Sequence, residues 1–152
     1  MGDVSKEYDK LAVKHKLPSF KALTEFDVES IESDANILSS VRHKIADRLH
    51  DCTDFVSDLL QPDTNLVTMY ESEAIPEDEK PEVYNLFRRL MYWRRASFEA
   101  HLDSSEQAQV DFINKFMKEW PALKPSVASV AGKVTALWES DSKSPEKMGY
   151  FG

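Results

Sequence analysis

A chain of 152 residues fits one domain, which buries about two-thirds of the surface its unfolded form exposes, so a core without disulfides is feasible. The single cysteine, Cys52, excludes an intrachain bridge, and a formal charge of −8 sets a field that repels nucleic acid and anionic lipid except where a local basic patch reverses it. The opening MGDVSKEYDK has no apolar signal core, and no run approaches the roughly eighteen apolar residues of a membrane span, so a cytoplasmic, soluble protein is the expectation.

Four glycines, three of them in the first two or last four residues, leave little material for tight hairpins. Apolar residues recur at three- and four-residue steps between the prolines, and no period-two run appears. A first helix is predicted over about Asp3–Lys16, with Tyr8, Leu11, Ala12 and His15 on one side and Pro18 ending it. A short helical turn over Ser19–Glu25 follows.

Residues 31–60 contain neither proline nor glycine. Ile31, Ala35, Leu38, Ile45, Leu49, Cys52, Val56 and Leu59 occupy the inner positions of a heptad, interrupted by Arg42, with Val41 beside it. One helix about 45 Å long is expected, at 1.5 Å per residue, with Glu29, Glu32 and Asp34 near its N-terminus, where the helix dipole favours negative charge. Cys52 reads as a small buried hydrophobe on its stripe.

Gln61-Pro62-Asp63 ends that helix. A shorter one, started by Pro62, Asp63 and Thr64, carries Leu66, Met69 and Tyr70 and runs into an acidic connector, Glu71–Glu79. Pro81 sits naturally in the first turn of a helix over 81–102, whose apolar face is read as Val83, Phe87, Leu90 and Phe98, with Arg94 among them. Ser104 with Gln107 forms a capping-box signature for the next helix, which Pro121 and Pro125 are expected to break; a last helix carries Val127 to Trp138 around Gly132, which weakens it or permits a close contact. The fold expected is all-α: a single-domain helical bundle over residues 1–139, built on an antiparallel hairpin of 31–60 with 81–102, followed by a flexible tail over 140–152.

Three constellations carry potential chemistry. His43, Asp47, His50 and Asp54 line one helix face, and imidazole with carboxylate at that spacing is a weak alternative metal site; opposite the apolar stripe it reads as a solvated ridge. Glu29-x-x-Glu32 and Asp51-x-x-Asp54 loosely match the paired carboxylates of nucleotide pyrophosphohydrolases, but a single helix separates the pairs too far to share an ion. Tyr84, Arg88, Arg89, Tyr92 and Arg95 gather arginine and tyrosine in an otherwise acidic chain, a pattern able to clamp phosphate or stack on bases. Arg94 and Arg42 interrupt apolar faces, which predicts structural ion pairs or snorkelling side chains, and for Arg94 an acid from another helix. The tryptophans and phenylalanines of the C-terminal half read as core.

No Gly-rich phosphate loop, nucleophilic triad or Cys/His zinc pattern is present, so no cofactor is implied. The expected function is a non-enzymatic interaction or adaptor module with a protein partner or a second copy of itself. Nucleic-acid or polyanion binding through the arginine–tyrosine stripe is the alternative, and a metal-dependent phosphohydrolase using helix-borne carboxylates the further one.

Overall fold

The computed structural model describes residues 2–140, with side chains from Val4 onward; nearly all of the expected tail, 140–152, lies outside them. Among the described residues every regular element is helical, in the order α1 (Gly2–His15), two 3₁₀ turns (Lys21–Phe26 and Val28–Ser30), α2 (Ile37–Leu60), α3 (Leu66–Glu71), two further 3₁₀ turns, α4 (Lys80–Asp103) and α5 (Glu106–Glu139). The protein is all-α. None of these helices is long and apolar enough to cross a membrane.

Local chemistry explains most boundaries. α1 ends with Lys16 in the left-handed region (φ 57°) and the Leu17 N–H donating to the Ala12 carbonyl, a Schellman closure that Pro18 then prevents from continuing. α4 ends likewise: Ser104 (φ 61°) donates its N–H to the Ala100 carbonyl. That geometry moves the following cap by one residue from its expected place at Ser104. Ser105 Oγ accepts from the Ala108 N–H, and Ser105 N–H is itself held by Asp103 Oδ1. Hydrogen bonding to its carboxylate by Ser105, first by the side chain and then by the backbone N–H, holds the Asp103 carboxyl below its usual pKa.

Two boundaries differ from expectation. The long helix begins at Ile37, six residues later than the stripe suggests, because Asn36 takes a left-handed conformation (φ 55°) and Ser33 Oγ captures the Ala35 N–H. Ser, Asp and Asn offer the backbone these local alternatives to a helix. Twenty-four residues then span about 36 Å, and Ile31 and Ala35 leave the buried stripe. Conversely, α5 runs unbroken through Pro121 and Pro125. An interior proline removes one hydrogen bond and costs about 3 kcal/mol or more, yet Ile113, Phe116, Trp120, Leu123, Val130 and Val134 are all buried and keep helical spacing across both prolines. Stopping the helix at Trp120 would take Leu123 and everything after it off that register.

The described residues fall into two compact units, the first taking the chain up to Asp51 together with Leu90–Pro121, the second taking Cys52–Arg89 and the chain from Ala122 onward. In the first unit, Phe26 is fully buried against Phe116 and Trp120, with ring centroids at 5.8 and 5.5 Å. Arg48 lies 5.7 Å over the Phe26 ring and donates to the Glu25 carbonyl, while Trp120 Nε1 donates to the Glu25 carboxylate. Tyr8 is buried beside Phe20, its hydroxyl donating to the Pro18 carbonyl at 2.8 Å. In the second unit, Tyr70 packs on Trp138 at 4.6 Å and donates to the Leu137 carbonyl, Trp138 Nε1 donates to Glu71, and Ile75 anchors the acidic connector by burial.

The face that α4 buries is also rotated from the expected one. Val83, Leu86, Leu90, Trp93, Ser97 and Ala100 are buried, whereas Phe98 is exposed and Phe87 and Arg94 are half-buried. Adjacent apolar rows compete on this helix, and the row that wins contains Trp93 together with the small Ser97 and Ala100.

Candidate cationic cleft

The small residues on α4 matter because of what lies against them. Arg42, on the buried stripe of α2, is only 5% exposed. Its Nε–H donates to Gln109 Oε1 at 2.7 Å, and Nη1 donates to Ser97 Oγ at 2.9 Å and, longer, to the Ser97 carbonyl at 3.4 Å. Nη2 lies 3.4 Å from His101 Nδ1. A guanidinium can only donate, so Nδ1 is the accepting nitrogen and the neutral ring carries its proton on Nε2. None of these partners is a carboxylate. In place of the expected ion pair, neutral acceptors hold the charge, and burial alone lowers the Arg42 pKa.

Gln109 is oriented with equal care. Its amide nitrogen donates to the Ala100 carbonyl at 2.7 Å and to the Ser105 carbonyl at 3.1 Å, which leaves Oε1 as the atom that faces Arg42. The reversed amide would set donors against donors.

Outward from this network opens a cleft of about 340 Å³ within the first unit, lined on α2 by Arg42, His43, Asp47 and His50 and on α4 chiefly by Arg94, Arg95 and His101. The cleft therefore gathers three guanidinium groups and three imidazoles around one carboxylate, Asp47, which also lies 3.7 Å from His43 Nε2. It can attract and orient an anion.

The predicted residues distribute unevenly around it. His43, Asp47 and His50 line the cleft and Asp54 does not; all four are exposed. Among the described residues no three His, Cys, Asp or Glu side chains form a group able to hold a metal ion. Of the arginine–tyrosine stripe, Arg95 reaches the cleft. Arg89 instead lines a depression of the second unit with Glu79, Glu82 and Lys133, and Tyr84 borders an apolar groove with Phe87, Pro81 and Leu60. Arg88 and Tyr92 are exposed, Tyr92 lying edge-on to Trp93. Sequence reasoning missed Ser97 and Gln109. Both are polar residues at positions where the helical spacing calls for apolar ones, the same signal that singled out Arg42.

Fold and site together define an all-α protein with a preorganised cationic cleft in an acidic chain. Compared with protein-family models, curated proteins and solved structures, the chain finds no match, so geometry alone carries the functional reading.

Proposed function

We propose that this protein is a non-enzymatic interaction module that binds an acidic segment of a protein partner through the Arg42–Arg94–Arg95 cleft. The observation that carries the reading is a buried guanidinium whose hydrogen-bond partners are all neutral, lining a cleft together with two more arginines, in a chain of charge −8. Withdrawing a cation from water without a carboxylate is costly, and an arriving anion recovers part of that cost. The long-range field disfavours anions, but screening within about 8 Å at physiological salt leaves the cleft free to act at contact.

A protein segment fits better than nucleic acid. A polynucleotide needs a run of phosphate contacts along its backbone, whereas the arginine stripe of α4 does not form one: Arg89 lines a surface with Glu79 and Glu82. Fluorescence anisotropy with a labelled oligoglutamate peptide and a single-stranded oligonucleotide tests the choice. The peptide is expected to bind, with affinity falling as salt rises, and Arg94→Glu with Arg95→Glu should abolish binding while leaving the circular dichroism spectrum unchanged. Tighter binding of the oligonucleotide, or none of the peptide at low salt, would refute the reading.

A further inference from the structure

We infer that this protein self-associates as an antiparallel twofold dimer through the exposed stripe Tyr92, Arg95, Glu99 and Leu102 of α4. The inference is independent of the acidic-partner reading above.

The first observation is apolar surface that the fold leaves uncovered. Among the described residues of the first unit, four large apolar side chains are strongly exposed, and three of them lie within eleven positions of α4: Tyr92 (63%), Phe98 (53%) and Leu102 (67%). The fourth is Val13, on α1. Single apolar residues scattered over a surface are ordinary, whereas a cluster on one helix marks a contact face. At 100° per residue Tyr92, Arg95, Glu99 and Leu102 fall within about 80° of arc, and Phe98 lies about 40° beyond Leu102 on the side of the cleft, which it helps to line. The steps of three, four and three along the stripe are those of a coiled-coil seam.

The second observation is charge. Arg95 and Glu99 are one turn apart and both exposed, yet among the described residues neither makes a hydrogen bond or ion pair, with the other or with any third group. An exposed pair at this spacing is weak, so both side chains are open to groups from outside.

The stripe is complementary to itself, and in one direction. Two copies of α4 laid antiparallel, about a twofold axis level with position 97, bring together residues equally far from 97 on either side. Arg95 then faces Glu99 of the second copy and Tyr92 faces its Leu102, and each contact occurs twice, as an isologous interface requires. Phe98, beside the axis, comes next to Phe98 of the second copy. The Ser97 side chain points the other way, to Arg42. A parallel pair would set Arg95 on Arg95 and Glu99 on Glu99, which like-charge repulsion opposes. A uniformly acidic helix would meet Arg95 and be repelled by Glu99, and a basic one the reverse; a second copy satisfies both.

Size sets the strength. Ten residue steps cover about 15 Å of helix, too little for the roughly 800 Å² per protomer of a standard interface, so the dimer is weak and reversible, with a dissociation constant of about 10–300 µM. Arg95 also borders the cleft, so an acidic segment and the second copy compete for it, and the test is run without peptide.

Sedimentation velocity of the full chain from about 10 µM to 1 mM at physiological salt should show a reversible monomer-dimer equilibrium. Arg95→Glu and Glu99→Arg each bring like charges together twice and should weaken association at least tenfold. The two single variants mixed together, and the double variant Arg95→Glu with Glu99→Arg alone, regain both complementary pairs and should associate again. A fluorescently labelled double variant should not pair with the wild-type chain, a result that distinguishes the antiparallel register from a parallel one. Leu102→Ser should also weaken the dimer, whereas Val13→Ser, at a more exposed position outside the stripe, should not. Circular dichroism checks that each variant keeps its helical fold. A monomer throughout the concentration range overturns the inference, as does a dimer indifferent to the single charge reversals. Failure of the double variant to recover, or its pairing with the wild-type chain, overturns it equally.

Discussion

Gln109→Leu is the sharpest probe of the polar network beneath the cleft. The substitution removes the 2.7 Å acceptor of Arg42 Nε–H, a bond to a charged group that contributes about 1.5–3 kcal/mol. It also removes the 2.7 Å bond to the Ala100 carbonyl, about 0.5–1.5 kcal/mol, and the longer one to Ser105. Leucine returns some apolar contact, so a net destabilisation of about 2–4 kcal/mol is expected. Arg42→Met should cost less, about 1–3 kcal/mol, because it removes the buried charge along with its bonds and leaves Ser97 Oγ able to donate to a carbonyl of its own helix. In the double variant neither a charge nor its partner is left stranded. Its loss should therefore fall short of the sum of the single losses by about 1–3 kcal/mol. Urea unfolding at pH 7, followed by far-ultraviolet circular dichroism and by tryptophan fluorescence, measures all four corners of the cycle. Additivity within about 0.5 kcal/mol, or a Gln109→Leu effect that small, would show that the network does not hold Arg42 as described.

Three further expectations follow from local geometry. Ser105→Ala should cost about 1 kcal/mol by removing the cap of α5, while Ser104→Gly should be neutral or stabilising because it relieves a left-handed conformation at a non-glycine residue; thermal melts of the two variants would refute this placement of the cap if their order were reversed. Gly132→Ala should stabilise the protein by about 0.5–1 kcal/mol, since a Cβ there meets nothing within 4 Å and the residue lies inside α5, and a loss of stability on urea titration would contradict that open surface. Burial raises the Tyr8 phenol pKa above the ordinary value near 10, with the neighbouring Asp9 charge adding to it. The phenol therefore resists ionising in the folded state. Its contribution is complete below about pH 10 and declines as pH rises further, by up to about 1.4 kcal/mol per unit, and Tyr8→Phe should flatten that decline in alkaline unfolding curves.

The helical class was legible because it depends on short-range terms. Scarce glycine, three- and four-residue apolar spacing and Pro18 and Pro62 as stops are properties of neighbouring residues, and they located α1 and α4 to within a residue or two. The same terms also misled where two of them competed. Ser33 and Asn36 took backbone groups that the heptad stripe had assigned to a helix, and the apolar face of α5 outweighed two prolines that local rules read as breaks. Arg42 stood out in the sequence as an interruption, and Arg95 as part of a basic stripe. Their meeting did not. Arg42 reaches Ser97 across 55 positions and Gln109 across 67, and α4 had to turn Trp93 rather than Phe98 inward before Ser97 could serve as an acceptor. Rotation of a helix about its own axis is decided by which side chains interlock with the elements packed on it. The sequence by itself therefore determined that this chain is helical and which residues were out of place on their faces; only the tertiary structure, through contacts far apart in the chain, brought those residues together as one cationic cleft.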